Sequence, residues 1–343
     1  MPNAYISGTG FYVPPRVVTN DDLKTQYGID TSHEWIVQRT GIQERRFAEE
    51  GVGTSDLALP ASRAALEAAG LQPQDLDMIV LATLSPDCCF PGTGVYLQRK
   101  LGLCDGPKAK FVPALDVRNQ CSGFVYSLGV ATSMVKAGSA KHVLVVGAET
   151  HSAALDLSTR GRAVASLFGD GAGAVVVSAT EEDRGVRSYH LGADGRYAEV
   201  LAQKLWDVTK RPFIPQNAEG VGQVQPAMMW AQMDGKVVFK NAVERMIGAL
   251  MEVCMANGVT GNDIDLFVFH QANLRINEYI ADHVGIPKEK LVSNIQRYGN
   301  TTAATIPILL AEAERSGRLK RGMKVAMVAF GSGFTWGSAL VDW

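Results

Sequence analysis

The chain contains an internal duplication, which constrains its fold more than any single motif. Three apolar runs of the first half recur in the same order in the second half. The paired runs are DLDMIVL at 75–81 with DIDLFVF at 263–269, KHVLVVG at 141–147 with KVAMVAF at 324–330, and GAVVV at 173–177 with GSALV at 337–341. A helical pattern separates the first two runs in each half, at 121–136 and at about 302–316. Four matched pairs in one order argue against a chance resemblance between two generic βαβ units.

These runs indicate buried strands covered by helices. In the second half, the first run follows an amphipathic helical pattern from about Val238 to Asn257. Short apolar runs entered from such helices are typical of parallel sheets with helices on their faces. Because a polar stretch near 178–186 interrupts the pattern, we predict a duplicated, layered α/β fold with halves 1–180 and 181–343.

The composition is that of an ordinary globular protein, with 46% hydrophobic and 20% charged residues among 343. No apolar run reaches the roughly eighteen residues that a membrane helix needs. The first residues, MPNAYISGTGFYVPP, lack the pattern of a secretory signal, so we expect a cytoplasmic protein without a membrane partner. A formal net charge of −2 and the lack of long Lys and Arg runs argue against nucleic acid as a partner.

One of the five cysteines stands where a nucleophile is expected. The odd number and the absence of a CxxC pair argue against a disulfide framework and against a metal site, so at least one cysteine should work as a thiol. Cys121, in DVRNQCSGF, lies where an extended segment turns into a helical stretch. Free N–H groups and the helix dipole at such an end favour a thiolate and stabilise an oxyanion. We predict that Cys121 is a thiolate nucleophile, although many free cysteines are inert core residues.

Two polar segments of the second half accompany this cysteine. His270 follows a buried strand in FHQAN, and Asn300 opens a helix in YGNTT. Each alone is more typical of a structural residue, but catalytic groups of layered α/β proteins gather at such ends. The internal symmetry would place Asn300 at the position of Cys121 in the other half, so we expect Cys121, His270 and Asn300 to meet across a pseudo-twofold axis.

Six motifs together carry a resemblance to a known family. They are NQCSGF, FHQANLRI, RYGNTTAAT, LFGDGAGA, HEWIVQRTGI at 33–42 and AFGSGFTWGSAL at 329–340. Through these motifs the whole chain resembles ketoacyl-acyl carrier protein synthase III. The resemblance implies the thiolase fold, a layered αβαβα architecture with two pseudo-symmetric halves, and a catalytic triad of Cys121, His270 and Asn300.

The resemblance also implies a reaction in two steps. An acyl-CoA acylates Cys121, and malonyl on acyl carrier protein then loses carbon dioxide and attacks the new thioester. His270 and Asn300 would donate hydrogen bonds to the enolate oxygen, while backbone N–H groups of Cys121 and Ser332 would hold the first oxyanion. Acyl-CoA and malonyl-acyl carrier protein are substrates, and no cofactor is expected.

Substrate-binding positions and assembly are implied in the same way. The matching positions are Trp35, Arg39 and Arg160 for the nucleotide of CoA, and Lys240 and Arg275 for the acidic acyl carrier protein. The apolar segment CCFP at 88–91 and the resemblance predict a homodimer whose partner reaches the acyl pocket.

Three departures from the housekeeping members concern the choice of primer. The residues RNQ at 118–120 replace small ones before the nucleophile, the segment Gln203–Met233 is longer than usual, and Ser332 replaces a glycine. We expect a reshaped pocket and a medium or long acyl-CoA donor rather than acetyl-CoA, since each buried methylene adds roughly 0.8 kcal/mol. The alternative is that the polar side chains beside Cys121 close the pocket to long chains.

Other protein classes share parts of this pattern. A thiolase would need a second cysteine in the C-terminal glycine turn, which reads GSGF at 331–334. A plant-type polyketide synthase is usually longer, and a papain-like protease has its cysteine near the mature N-terminus. A ketosynthase-III-like acyltransferase, a chain-joining ketosynthase with a different acceptor, and a non-catalytic protein of the same fold remain as alternatives.

Overall fold

The computed structural model of this protein describes residues 2–205, 208–209 and 229–343, which form strands and helices. The strands are β1 (Asn3–Tyr12), β2 (Val17–Thr19), β3 (Glu44–Arg46), β4 (Met78–Ala82), β5 (Ala114–Val117), β6 (His142–Glu149), β7 (Gly171–Thr180), β8 (Gly185–Ala193), β9 (Leu201–Ala202), β10 (Gln232–Met233), β11 (Leu266–Phe269), β12 (Lys324–Gly331) and β13 (Thr335–Asp342). The helices are α1 (Asn20–Thr25), α2 (His33–Thr40), α3 (Thr54–Ala69), α4 (Thr93–Lys100), α5 (Gly123–Lys136), α6 (Arg162–Ala165), α7 (Gly235–Ala256), α8 (Leu274–Val284), α9 (Ile295–Tyr298) and α10 (Thr305–Arg315).

Two mixed sheets share one strand order. The first runs β1-β7-β6-β4-β5 and the second runs β8-β13-β12-β11. Each sheet contains a parallel pair, β4 with β6 in the first and β11 with β12 in the second. The strand that follows is antiparallel: β7 pairs with β6, and β13 pairs with β12. An isolated parallel bridge between Phe267 and Leu291 takes the place of β5 in the second sheet. The predicted duplication is therefore present strand by strand.

The helices form three layers around the two sheets. Helix α3 packs on the outer face of the first sheet, against β1, β6 and β7, and α7 packs on β8, β12 and β13 of the second. Between the sheets, α5 contacts β4 and β6 on one side and β8 and β13 on the other, while α10 contacts β1, β7 and β11. This helix-sheet-helix-sheet-helix order confirms the predicted αβαβα architecture.

The central layer contains the largest apolar cluster. It joins both sheets through the two inner helices, with Val145, Phe124, Leu310 and Met327 among its buried members. Burying one large apolar side chain stabilises the fold by about 1.5–3 kcal/mol. Since both faces of each sheet are covered, the inner strands are apolar at nearly every position, which is why they stand out in the sequence as continuous runs.

The connection between the halves and the longest loop follow from this arrangement. The division between 180 and 181 falls in the loop that joins β7 to β8. Of the segment Gln203–Met233, which the sequence suggests as the lining of a longer channel, residues 206–207 and 210–228 lie outside the described residues, whereas β9 and β10 pair near its two ends.

Among the described helices, none combines the length and the apolar character needed to cross a membrane.

Candidate active site

Cys121 lies where the two halves meet. Strand β5 is followed by a 3-10 turn at Gln120–Ser122, which leads directly into α5. Cys121 is therefore held at the N-terminal end of a helix, and only 8% of its surface is exposed. A Cβ atom on Gly331 of β12 would lie 3.0 Å from the Cys121 nitrogen. The C-terminal half thus approaches the cysteine closely because position 331 carries no side chain.

Burial dominates the ionisation of Cys121. Burial, and to a smaller extent the charge of Glu149, raises the pKa of the thiol to about 12. The Cys121 backbone N–H and the Thr302 side chain lower the pKa by smaller amounts. Glu149 is buried as well, and burial raises its pKa to about 7 despite hydrogen bonds from Ser85 and Thr83. Burial thus favours the thiol at neutral pH, contrary to the low thiol pKa predicted from the helix end.

His270 follows β11 and is 1% exposed. Its Nδ1 atom lies 2.7 Å from the Thr305 hydroxyl oxygen, and its Nε2 atom has no hydrogen-bond partner among the described residues. Burial lowers the pKa of the imidazole to about 3, so the ring is neutral at physiological pH. The single Thr305 hydroxyl proton has two acceptors in reach, His270 Nδ1 and the Thr302 carbonyl at 3.0 Å. When it is donated to Nδ1, the ring proton sits on Nε2, and His270 then offers a donor to a ligand.

Asn300 is fixed by its backbone and by its side-chain oxygen. Its N–H donates to the Leu167 carbonyl at 2.8 Å, and its Oδ1 accepts the Thr302 N–H at 2.8 Å. The side-chain nitrogen is therefore the donor left for a ligand. A cavity of about 130 Å³ is lined by Cys121, His270 and Asn300 together. The structure thus brings the three sequence-predicted catalytic residues to one site.

The internal symmetry places Asn300 differently from the prediction. The turns at Gln120–Ser122 and Thr302–Ala304 each lead straight into an inner helix, and each begins with a non-glycine residue in the left-handed region, at φ 45° and 50°. Cys121 therefore corresponds to Ala303, and Asn300 stands three residues earlier. The catalytic groups meet because these two turns are in contact, and not because Asn300 is the symmetry equivalent of Cys121.

A second cavity, of about 360 Å³, also includes Cys121. Of the departures seen in the sequence, Arg118, Gln120 and Ser332 line this cavity. Asn119 is not among the lining residues, and its carbonyl accepts a hydrogen bond from the Ser122 hydroxyl. The remaining wall is largely apolar, with Leu84, Leu155, Val164, Phe168 and Leu201.

Three buried polar residues near Cys121 escaped the sequence analysis. Glu149 ends β6, His151 follows it, and Thr302 opens the turn before α10. The available signal was the run GAETH at 147–151, which closes a buried apolar strand, since polar groups at the carboxyl end of such a strand gather at functional sites.

The residues expected to hold the CoA nucleotide do not all lie together. Trp35 is half-buried on α2, with the Arg39 guanidinium carbon 4.3 Å from the ring centroid. Arg162 lies 4.7 Å from the same centroid. Arg160 instead pairs with Asp156 at 2.6 Å. Arg162, only two residues from the predicted position, is therefore a basic neighbour of Trp35 that the sequence analysis missed.

The two positions expected to receive acyl carrier protein differ in their surroundings. Lys240 is exposed on α7. Arg275 on α8 donates to the carbonyls of Gln38 at 3.1 Å and Val37 at 3.0 Å, and pairs with Glu278 at 2.8 Å. Arg275 thereby ties α8 to α2, and its guanidinium is largely occupied by these contacts.

Comparisons with known proteins agree with this fold and site. A family model described as 3-Oxoacyl-[acyl-carrier-protein (ACP)] synthase III matches residues 115–195, and the model of its C-terminal part matches residues 254–343. A Beta-ketoacyl-[acyl-carrier-protein] synthase III of Thiobacillus denitrificans is 46% identical over 336 residues, which cover 98% of either chain. The 3-oxoacyl-[acyl-carrier-protein] synthase III of Aquifex aeolicus has a TM-score of 0.86 at 42% identity, covering 99% of this chain and 100% of that one. The priming beta-ketosynthase from the R1128 polyketide biosynthetic pathway has a TM-score of 0.87 at 32% identity, covering 99% and 96%.

The two halves share one topology, and they meet at a cysteine that shares its cavity with a histidine and an asparagine. This arrangement places the chain in the class of thiolase-fold condensing enzymes. Relatives that are 45–46% identical over 98% of this chain identify the family within that class. The chain belongs to the beta-ketoacyl-[acyl-carrier-protein] synthase III family. The family resemblance read from the six sequence motifs is thereby confirmed.

Proposed function

We propose that this protein is a condensing acyltransferase that joins an acyl-CoA primer to malonyl-acyl carrier protein and releases carbon dioxide, in fatty acid or related secondary-metabolite biosynthesis. The cavity that unites the Cys121 thiol with His270 and Asn300 carries this proposal. A nucleophile that stores the acyl group splits one difficult condensation into two easier steps.

In the first step the Cys121 sulfur attacks the thioester carbon of acyl-CoA, and the thiol proton finally resides on the departing CoA sulfur. The oxyanion that forms is held by the backbone N–H groups of Cys121 and Ser332. Two observations support this role: Ser332 lines the same cavity as Cys121, and the adjacent Gly331 packs against the cysteine backbone. Such pre-organised donors act where charge develops in the transition state.

In the second step the malonyl carboxylate leaves as carbon dioxide, and its bonding electrons move toward the thioester oxygen. The Asn300 side-chain nitrogen and His270 Nε2 donate hydrogen bonds to that oxygen. The resulting carbanion attacks the acyl-Cys121 carbonyl, and the Cys121 sulfur departs. A neutral His270 suits this work because it stabilises the enolate without protonating the carbanion, and each donor is worth about 3 kcal/mol.

The substrates supply the chemistry, so we propose that the enzyme uses no further cofactor. Trp35 binds the nucleotide of CoA by stacking, and Arg39 binds it by ion pairing. Arg162 lies beside Trp35, whereas Arg160 pairs with Asp156. Exposed Lys240 receives the acidic acyl carrier protein, whereas Arg275 mainly holds α2. The described cysteines are all unpaired, which suits a cytoplasmic enzyme.

We further propose a medium or long acyl primer. The second cavity, about 360 Å³ in volume, is far larger than a two-carbon group requires, and Leu155, Phe168 and Leu201 give it apolar walls. Since each buried methylene contributes roughly 0.8 kcal/mol, a longer chain gains affinity in such a space. The polar Gln120 at its edge then limits which chains enter, and chain length should change kcat/KM most of all.

Two measurements test the proposed function. Intact-protein mass spectrometry after exposure to acyl-CoAs of two to twelve carbons shows which acyl group stays on Cys121, and labelled malonyl-acyl carrier protein reports release of carbon dioxide. Acylation of Cys121 without release of carbon dioxide would favour simple acyl transfer to another acceptor. The highest kcat/KM with acetyl-CoA would overturn the primer assignment alone.

A further inference from the structure

We propose that His151 and Thr302 form a hydrogen-bonded chain that directs a hydroxyl donor at the Cys121 sulfur and so promotes thiolate formation during acylation. The inference rests on the proposed role of Cys121 as the nucleophile. It gives a positioning role to two residues outside the group of Cys121, His270 and Asn300.

The chain is short, buried and continuous. His151 is 7% exposed, and its Nε2 atom lies 2.5 Å from the Thr302 hydroxyl oxygen. The Thr302 side chain is fully buried in a turn that contacts the turn carrying Cys121, and it acts to lower the pKa of the Cys121 thiol. The imidazole of His151 also packs on the Phe168 ring at a centroid distance of 4.6 Å, which fixes its plane. The Thr302 hydroxyl thus lies between His151 and the turn that carries Cys121.

The direction of these hydrogen bonds decides their effect on the sulfur. The Thr302 hydroxyl has one proton, so it donates either to Cys121 or to His151. When His151 Nε2–H donates to the Thr302 oxygen, the hydroxyl proton is left for the sulfur and stabilises the thiolate. Burial lowers the pKa of His151 to about 3, which keeps the ring neutral and able to carry its proton on Nε2.

The backbone at Thr302 supports a functional role for its hydroxyl. Its φ of 50° lies in the left-handed region, which β-branched residues rarely adopt. The conformation is held by the Thr302 N–H, which donates to Asn300 Oδ1 at 2.8 Å. It is also held by Gly147, where an added Cβ would lie 2.2 Å from the Ala303 carbonyl oxygen. A strained conformation that its neighbours enforce is characteristic of functional sites.

Alkylation of Cys121 by iodoacetamide measures thiolate formation directly. The rate is followed from about pH 6 to about pH 10 by peptide mass spectrometry, with exposed Cys89 as an internal reference. The titratable and charged groups around the sulfur are Glu149, which acts on its pKa, Arg118 in the larger cavity, and the buried rings of His270 and His151. Variants at Thr302 and His151 leave Glu149 and His270 unchanged, so differences in the profile report on the proposed chain.

Two matched pairs of variants separate the donor from the shape of the side chain. Thr302→Val and His151→Phe remove the polar atoms, whereas Thr302→Ser and His151→Gln keep a donor. We expect the first two to lower Cys121 alkylation about tenfold below the thiol pKa, which corresponds to a rise of about one pKa unit. Thr302→Ser and His151→Gln should stay close to the parent. Because the two positions are tested independently, a variant that does not fold at one leaves the test to the other.

Parent-like profiles for Thr302→Val and His151→Phe would overturn the proposal, and so would equal losses in Thr302→Ser and His151→Gln. The alkylation assay contains neither acyl-CoA nor malonyl, so it stands even if the parent enzyme fails to condense its substrates. In the acyl transfer assay, we expect His151→Phe to lower kcat of acylation and to leave KM for acyl-CoA nearly unchanged, as a positioning role requires.

Discussion

At the scale of single residues, Cys121 has to combine deep burial with reactivity. We predict that Cys121→Ala abolishes both acylation and condensation while the melting temperature stays close to that of the parent, because the change removes the nucleophile but little volume. Mass spectrometry and thermal unfolding give the two readings. Acyl transfer near the parent rate in this variant would contradict the covalent mechanism.

The two donors facing the cysteine should affect only one of the two steps. We predict that His270→Ala and Asn300→Ala still accept acyl groups on Cys121 but decarboxylate malonyl at least about a hundredfold more slowly, since each loses a donor to the enolate worth about 3 kcal/mol. The half-reactions are measured separately. Equal loss of both steps would instead mean that His270 activates the thiol as a base.

The residue scale also shows where sequence reasoning ends. The motifs identified Cys121, His270 and Asn300, because these residue types stand at strand and helix ends. The thiol pKa was misjudged, because the helix terminus is visible in the sequence whereas the burial that outweighs it depends on packing from the other half. Arg162 was missed for a similar reason, since its proximity to Trp35 is a tertiary contact.

At the scale of elements, β12 and the turn before α5 touch at Gly331. We predict that Gly331→Ala lowers kcat by about a hundredfold, because the new methyl group displaces the Cys121 backbone, and small displacements of a nucleophile are costly. The matched control is Gly248→Ala on α7, where an added Cβ meets nothing within 4 Å. Steady-state kinetics on both variants tests this; an unchanged kcat in Gly331→Ala would show that the contact has no bearing on catalysis.

Six strands could be predicted because they are apolar runs, but the residues at which they begin and end could not. These strands are β4, β6, β7, β11, β12 and β13. The runs at 75–81 and 263–269 begin with aspartates that belong to 3-10 turns, where Asp75 and Asp263 accept hydrogen bonds from the backbone N–H groups of Gln72 and Thr260. The outermost strands β1 and β8 were not predicted, since their pairing with β7 and β13 joins distant parts of the chain.

At the scale of the whole molecule, one edge of the first sheet is apolar and uncovered. Phe90 is 82% exposed and Phe111 is 79% exposed, and both precede the edge strand β5 in the sequence. Exposed apolar groups beside an open strand edge are typical of an interface. We propose that two copies pair along this edge and that the Phe90 segment reaches the acyl pocket of the partner subunit.

Sedimentation tests the assembly. We predict a particle of about twice the 36.8 kDa chain mass at micromolar concentration, and dissociation in Phe90→Asp, because a buried unpaired charge is costly. Met255→Asp is the control, since Met255 is 77% exposed on α7, away from this edge. A monomeric parent, or equal dissociation in both variants, would refute the proposed interface.

Acid should destabilise the molecule through its buried histidines. Burial lowers the pKa of His151 and His270 to about 3, from 6.5. Between these values the unfolded chain holds protons that the folded chain does not, so the free energy of unfolding falls as pH is lowered. Glu149 acts in the opposite sense between 4.5 and about 7, because its raised pKa keeps the proton on the folded chain. Below pH 4.5 carboxylates with a lowered pKa, such as Asp22 and Asp194, add to the loss of stability, so a variant is needed to isolate a histidine.

This pH dependence can be assigned to one residue. We predict that the urea midpoint of the parent falls between pH 4.5 and about 3, and that it falls less steeply in His151→Phe, which has one fewer buried imidazole. Urea unfolding at several pH values measures both slopes. Identical slopes would mean that His151 is not held neutral by the fold.

The contact between Gly331 and Cys121 has a consequence for biosynthesis of the chain itself. A ribosome makes Cys121 long before it makes His270, Asn300 and the strand that carries Gly331. Until that strand has emerged and docked, Cys121 lacks its contact with Gly331 and the neighbouring Ser332 N–H, which we propose for the acylation step. We therefore expect that a nascent chain does not capture acyl groups from the surrounding CoA pool before its C-terminal half has folded.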